Sequence, residues 1–243
     1  MQALIANGRY KVTEVLHSAG GYDACLCTDV MVNTGKTVIV NTYSAKEYIR
    51  ELLPLFFAIN QKGMSDFIEL ITADGSISAV FDYHKGTPFA EYYPCKKGET
   101  RDFEQSMTIA ENLLMRSLEL DLADDRIAFC ALNEQNIVLD TVTGTARFNF
   151  RVHPETAPEP MFRGRLLGEL LGKMFPKGRY LPAELEQFID ELYSGKYPTC
   201  SAAFSRWREI SEAAKKTHAE YEKESFVKYL SRKIKQKKKP GKS

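Results

Sequence analysis

The sequence predicts an α+β protein in which a strand-rich half precedes a helix-rich half. Turn residues separate short apolar runs between residues 9 and 83, which is typical of antiparallel strands. After residue 102, apolar side chains recur every three or four residues, which is typical of helices packed on a core. The charge is also split along the chain. Residues 225–243 contain eight Lys or Arg and no acidic residue, whereas the first 224 residues contain 25 basic and 32 acidic ones. We therefore expect a mildly acidic globular part followed by a basic tail.

The composition argues against several classes of protein. No run of 18 apolar residues is present in the 243-residue chain, so we expect no transmembrane helix. The N-terminal residues lack the charged and apolar regions of a signal peptide. The five cysteines form no CxxC pair and the four histidines show no ligand spacing, so a reduced, cytoplasmic chain without a metal site is expected.

The first half is expected to alternate strands with one helix. Residues 9–43 are interpreted as a β meander in which Gly20-Gly21 forms a hairpin turn. A helix over residues 45–60 follows, and Pro54 is expected to kink or split it at Leu53. Strands over 66–72 and 76–83 are joined by Asp74-Gly75, a strong hairpin signal.

The second half is expected to be mostly helical. A helix over residues 102–122 begins with Asp102 and Gln105, which resemble a capping box. Residues 127–140, IAFCALNEQNIVLD, are interpreted as a short strand, a tight loop and a second strand. Residues 146–150 would form the partner of that second strand.

Two further helices are predicted near the end of the globular part. The helix Phe162–Phe175 has three glycines four residues apart, at 164, 168 and 172, so another element should approach it closely, within the core or at an interface. Pro182 is expected to open the next helix and Gly195 to end it. Residues from about 199 to 236 would form one long helix or two.

The loop within residues 127–140 resembles the catalytic loop of protein kinases. That family pattern is His-Arg-Asp, four spacer residues, Asn and an aliphatic strand. Leu132, Asn136 and residues 137–139 fix the register, which places the triplet on Phe129, Cys130 and Ala131. The resemblance therefore implies that Ala131 replaces the catalytic base, and alanine cannot accept a proton.

The other kinase motifs also lack their charged residues at the matching positions. The strand lysine of V-A-I-K corresponds to Asn41. The metal-binding Asp-Phe-Gly corresponds to Asn149-Phe150-Arg151 with a one-residue deletion, or to Phe150-Arg151-Val152 without one. The remaining counterparts are His17, Ala19 and Tyr22 for the three loop glycines, Ala157-Pro158-Glu159 for Ala-Pro-Glu, Arg163 for the aspartate that begins helix αF, and Tyr197 for the arginine of Lys-Arg-Pro-Thr.

Taken together, these motifs imply a bilobal protein kinase-like fold and a degenerate bacterial pseudokinase. The expected parts are a β-rich N-lobe over residues 1–84, a compact helical C-lobe over 85–208, and a helical extension with a polybasic tail over 209–243. No catalytic residue, metal or cofactor is expected. Weak binding of ATP without turnover stays open. The expected nucleotide-pocket residues are Asn41, Phe81, Asp82, Tyr83, His84, Asn136 and Asn149.

Two other functions are kept as alternatives. An atypical phosphotransferase could use Lys36 or Lys46 for phosphate, Asn136 for a metal and Glu134 as a base. The tail could bind nucleic acid, although its last ten residues lack the aromatic side chains that stack on bases. For the favoured pseudokinase the partner is an unidentified protein, and the tail would contact an anionic membrane surface at the cytoplasmic side. The tail residues expected to make that contact are Arg232, Lys233, Lys235, Lys237, Lys238 and Lys239.

Overall fold

The computed structural model describes residues 3–31, 35–93, 101–155, 163–178 and 180–223. Its first part is a six-stranded antiparallel sheet with one helix against it, and its second part is mostly helical. The basic tail residues 232–239, the motif Ala157-Pro158-Glu159 and Phe162 lie outside the described residues. No helix in the described ranges is both long and apolar enough to cross a lipid bilayer.

The N-terminal sheet has the strand order β1-β2-β3-β4-β6-β5. Both predicted hairpin turns are present and consist of two residues with positive φ: 60° and 82° at Gly20 and Gly21, and 49° and 73° at Asp74 and Gly75. Such turns match the twist of an antiparallel hairpin. The six strands are β1 (Leu4–Ile5), β2 (Tyr10–Ala19), β3 (Tyr22–Asp29), β4 (Thr37–Tyr43), β5 (Phe67–Ala73) and β6 (Ser76–Asp82).

The two faces of this sheet bury different groups. Tyr10, Cys27 and Val40 belong to a small cluster on the outer face. The inner face packs on helix α1 (Lys46–Lys62) through Leu52, Phe56 and Ile59, and it continues into the core of the helical part. The period of two along each strand produces this division.

The sequence predicts that Pro54 kinks or splits this helix at Leu53. The split is wrong, because α1 runs unbroken from Lys46 to Lys62. Pro54 is exposed, and so is Arg50, whose carbonyl would accept the missing hydrogen bond. Water can therefore satisfy that carbonyl.

The second part begins with a small sheet in the order β7-β8-β9. The predicted helix over residues 102–122 is an α-helix only to Ser117 and continues as a 3₁₀ helix over Leu118–Leu122. Asp102 caps it as expected, accepting the backbone N–H of Gln105 at 2.8 Å. The elements are β7 (Thr87–Pro88), α2 (Phe89–Tyr92), α3 (Phe103–Ser117), α4 (Asp125–Ala131), β8 (Ile137–Asp140), β9 (Thr145–Phe148), α5 (Arg163–Met174), α6 (Ala183–Tyr193) and α7 (Cys200–Glu222).

The short strand predicted at Ile127-Ala128 is wrong, because these residues lie in α4. Asp124 caps this helix by accepting the N–H of Arg126 at 3.0 Å. Both apolar residues are fully buried in the core cluster. A two-residue apolar run satisfies a strand or a helix equally well, and the cap decides for the helix.

The glycine stripe of α5 packs against α6, which confirms that another element approaches this face. A Cβ at position 164 would lie 1.8 Å from the carbonyl oxygen of Tyr197, which is backbone. At Gly172 the nearest atom is instead the hydroxyl of Tyr193, 2.5 Å away at the end of a half-exposed side chain. Gly195 ends α6 with φ 76°, as predicted.

The carboxylate of Glu191 fastens the end of α6 to the chain that follows. It accepts hydrogen bonds from Lys196 Nζ and the Tyr197 hydroxyl, both at 2.7 Å. Burial alone would raise the pKa of Glu191, but the hydrogen bonds from Lys196, Gln187 and Tyr197 outweigh it and lower the pKa to about 2.

Candidate functional site

The three asparagines at kinase-motif positions converge on one segment, residues 149–152, which passes between the sheet and the helical part. Asn41 comes from β4, Asn136 from the 3₁₀ turn Glu134–Asn136, and Asn149 directly follows β9. All three are buried. The structure therefore brings these sequence-predicted residues together, and each makes hydrogen bonds within the protein.

Asn41 is completely buried and makes three hydrogen bonds through its side chain. Its Nδ2 donates to the carbonyl of Phe150 at 2.9 Å. Its Oδ1 accepts the N–H of Val152 and the hydroxyl of Tyr22, both at 3.0 Å. The side chain at the position of the kinase lysine therefore holds the backbone of residues 150–152 against the sheet.

The side chain of Asn136 is hydrogen-bonded to the guanidinium group of Arg151. Its Nδ2 donates to the Cys130 carbonyl at 2.8 Å, and its Oδ1 accepts Nε of Arg151 at 2.8 Å. Arg151 Nη2 also donates to the carbonyl of Gln135 at 2.6 Å. A fixed cation thus lies on the oxygen that would hold a metal in a kinase.

Asn149 binds the backbone of the segment that links the two parts of the molecule. Its Oδ1 accepts the N–H of His84 at 2.9 Å, and its Nδ2 donates to the His84 carbonyl at 3.0 Å. In kinases this crossing offers its backbone groups to adenine, and here one amide side chain uses both groups of His84.

The other predicted residues of the crossing are divided between the core and the outer surface. Phe81 is fully buried and stacks on Phe150, with ring centroids 4.9 Å apart. Asp82 forms an ion pair with Lys36 at 2.5 Å. Tyr83 lines a shallow outer depression together with these two residues.

His84 also belongs to a partly buried polar cluster. Its Nε2 lies 3.0 Å from Oδ1 of Asp66, and Arg116 contacts Asp66 Oδ2 at 3.0 Å. Burial alone would raise the pKa of Asp66, but the hydrogen bond to His84 and the charge of Arg116 lower it. This cluster connects the crossing to β5 and α3.

Ala131, the predicted counterpart of the kinase catalytic base, is not accessible to a ligand. Ala131 is the last residue of α4 and is fully buried. Its neighbours Phe129 and Cys130 line the cleft instead.

A cavity of about 330 Å³ lies between the sheet and the catalytic-type loop. Tyr22, His17 and His153 crowd its upper wall, with ring centroids 5.0 to 5.2 Å apart. Burial raises the pKa of Tyr22, so its hydroxyl stays neutral and donates to Asn41. No Asp or Glu is among the described residues that line this cavity. The magnesium implied by a kinase-like fold therefore does not fit, because it needs carboxylate oxygens.

The residues of the relocated-enzyme alternative are not gathered in one place. Glu134 pairs with Lys173 and lines a neighbouring groove of about 260 Å³, whereas Asn136 lines the central cavity. Lys36 pairs with Asp82 on the outer side of the crossing. Lys46 begins α1.

Arg163, the predicted counterpart of the kinase αF aspartate, contacts the start of α4. Its Nη2 donates to the carbonyl of Ala123 at 2.8 Å and pairs with Asp125 at 2.9 Å. These contacts tie the start of α5 to the start of α4.

Sequence reasoning did not assign a binding role to three residues of the cleft: His17, Arg151 and His153. The local sequence gives no periodic or motif signal for them, because they meet only through the packing of β2 against residues 149–153. The one signal was the substitution of Arg151 for a glycine in a motif that normally binds a cation.

The fold is protein kinase-like, and its cleft is bridged by amide and guanidinium side chains. No protein-family model matches the sequence, and neither does any curated protein. Comparison with solved structures gives clear matches of fold. The apo GRMZM2G135359 pseudokinase has a TM-score of 0.57 at 13% identity, covering 83% of this chain and 92% of the other.

Two further structures support the same fold. The pseudokinase DRIK1, drought responsive inactive kinase 1, bound to ENMD-2076, has a TM-score of 0.53 at 14% identity over 83% of this chain and 91% of the other. The PknI kinase domain of Mycobacterium tuberculosis has a TM-score of 0.51 at 13% identity over 88% and 99%. The chain is therefore similar in fold both to pseudokinases and to a kinase domain.

Proposed function

We propose that this chain is a pseudokinase: a kinase-like module that does not transfer phosphoryl groups and acts as an interaction or regulatory scaffold. The observation that carries the proposal is the contact between Arg151 and Asn136. In kinases the matching asparagine oxygen holds a magnesium ion. A guanidinium hydrogen-bonded to that oxygen opposes the approach of a second cation by direct repulsion.

The other two asparagines support the same conclusion. Phosphoryl transfer depends on positioning and on charge stabilisation by lysine, metal and a catalytic aspartate. Asn41 and Asn149 offer no charge, and their hydrogen bonds hold residues 149–152 and His84 in one arrangement. The polar groups of the cleft therefore stabilise the joint between the two parts of the molecule.

A scaffold acts through its surface, and its partner is proposed to be a protein. We further propose a cytoplasmic location, with the lysine-rich tail contacting an anionic membrane surface. Eight basic residues without an acidic one suit such a surface, at about 1 kcal/mol for each residue near it.

The first experiment is a phosphotransfer and ATP-hydrolysis assay of the full chain with Mg²⁺ and with Mn²⁺. The expected rate equals that of the buffer. Turnover by the wild type that is lost in Asn136→Ala and in Glu134→Gln would overturn the proposal in favour of the relocated enzyme. Arg165→Gln is the matched control, because Arg165 is exposed on α5 and, among the described residues, pairs only with Glu169.

The membrane contact is tested by sedimentation with phosphatidylserine vesicles and with phosphatidylcholine vesicles. Binding is expected only to the anionic vesicles, and it should fall as salt is added. The full chain with Lys237→Gln, Lys238→Gln and Lys239→Gln should bind less. Equal binding to both vesicle types would remove this part of the proposal, and salt-dependent binding to DNA in its place would favour the nucleic-acid alternative.

A further inference from the structure

The central cavity has the polar lining of an anion site. It measures about 330 Å³, within the range of small-molecule pockets. Arg151 is the one residue of fixed charge among its described lining residues, and it is accompanied by two histidines and three amide side chains. One fixed positive charge and no carboxylate among the described lining residues make this cavity attractive to negative charge.

Arg151 is held rigidly and still has donors to offer. Its Nε and Nη2 are fixed by Asn136 Oδ1 and the Gln135 carbonyl, at 2.8 and 2.6 Å. Nη1 has no acceptor among the described residues. A guanidinium fixed in this way is preorganised to donate to an oxyanion, since little side-chain entropy remains to be lost.

The histidines extend the set of donors. His153 Nδ1 accepts the N–H of Glu155 at 3.3 Å, so in the neutral ring the proton is on Nε2. His17 has no hydrogen-bond partner within the described part of the chain, and its ring lies 5.0 Å from that of His153. Asn133 Oδ1 accepts the N–H of Gln135 at 3.0 Å, which leaves Nδ2 of Asn133 as a further donor.

We propose that this cavity binds a compact phosphorylated molecule or a related oxyanion without any divalent cation. Phosphate oxygens suit a fixed guanidinium flanked by imidazole and amide donors. No carboxylate of the described lining residues opposes the ligand. The proposal rests on the proposed function in one respect, namely that the cleft does not hold a magnesium nucleotide.

The probe is inorganic pyrophosphate, titrated into the full chain in EDTA at fixed ionic strength and followed by calorimetry and by thermal unfolding. Pyrophosphate should bind and raise the Tm, and Mg²⁺ should weaken the effect because it occupies the phosphate oxygens. Arg151→Gln should weaken binding by about tenfold or more, the effect of losing one charge-assisted donor.

Two controls and a second variant keep the test decisive. His17→Gln removes a cavity donor without breaking any hydrogen bond of the described chain, so it should fold even if Arg151→Gln does not, and it should weaken binding several-fold. Arg165→Gln and the triple tail variant at 237–239 should bind as the wild type does. Absence of binding, or affinity lost with the tail and kept in Arg151→Gln and His17→Gln, would overturn the inference. Turnover of magnesium ATP would instead overturn the proposed function.

Discussion

Replacing Asn41 with leucine should destabilise the protein strongly, because the amide holds two buried backbone groups. Leucine keeps the branched shape of the side chain but offers no hydrogen bond. The carbonyl of Phe150 and the N–H of Val152 would lose their partners, at 2.9 and 3.0 Å in the wild type. Both residues are at most 1% exposed.

The magnitude follows from the number of groups left unpaired. An unsatisfied buried polar group costs about 1–3 kcal/mol, so two of them cost about 2–6 kcal/mol. The hydroxyl of Tyr22, the third partner of Asn41, borders the cavity and can turn to water. The loss therefore comes from the two backbone groups, and we expect it to be about 2–6 kcal/mol.

Urea unfolding followed by circular dichroism measures this loss as a lower midpoint with an unchanged slope. The matched control is Thr42→Val on the next residue of β4, which breaks only a bond to the Ser78 hydroxyl at 3.0 Å. That control should cost less than about 1.5 kcal/mol. A urea midpoint for Asn41→Leu equal to that of the wild type would refute the conclusion that the Asn41 amide stabilises the backbone of residues 150–152.

Two further predictions concern the packing and charge of α5 and α6. Gly164→Ala should lower the free energy of unfolding by about 1–3 kcal/mol or more, because the alanine Cβ would lie 1.8 Å from the backbone oxygen of Tyr197. Gly172→Ala should be far milder, since Tyr193 can swing away and alanine favours the helix by about 1 kcal/mol. The pKa of Glu191 is lowered to about 2, so its carboxylate contributes fully to stability above the ordinary pKa of a glutamate and loses that contribution as the pH falls towards 2. Glu191→Gln lacks this contribution, so its free energy of unfolding should fall less steeply than that of the wild type below pH 5.

Thermal unfolding of both glycine variants side by side checks the first of these, and equal Tm values would contradict the close approach of the Tyr197 carbonyl to Gly164. For the second, urea midpoints are measured from pH 7 down to pH 2. Glu209→Gln, which removes an exposed partner of Arg206 on α7, is the control and should follow the wild-type curve. An acid limb of unchanged steepness in Glu191→Gln would show that other carboxylates determine it.

The sequence predicted the order of the elements because their ends are defined by local chemistry. The Gly20-Gly21 and Asp74-Gly75 turns need positive φ, and few other residues allow it. The two-residue run at Ile127-Ala128 had no such constraint, so its interpretation as a strand was wrong. Pro54 misled for a related reason: its cost depends on whether water reaches the freed carbonyl, and only the fold determines that.

The site was predictable as a set of positions but not as a set of contacts. Register alone predicted Asn41 and Asn136 at kinase motif positions, and Asn149 at a third if one residue is deleted. Their partners are backbone groups and a guanidinium separated by between 6 and 111 residues, and no sequence spacing reports such pairs. Arg151 and His153 line a cavity that only the folded structure shows.

Whether Arg151 keeps magnesium out of the cleft is tested most directly by the Tm of the full chain with ATP, measured in EDTA and in excess Mg²⁺. A ligand at 100 times its Kd adds about 2.7 kcal/mol of stability, which is easily seen as a shift in Tm. The guanidinium of Arg151 on Asn136 predicts that Mg²⁺ adds nothing to any effect of ATP, or diminishes it. A rise in Tm that requires Mg²⁺ would mean that the metal displaces Arg151 and that the cleft is a working nucleotide site, which would contradict the account.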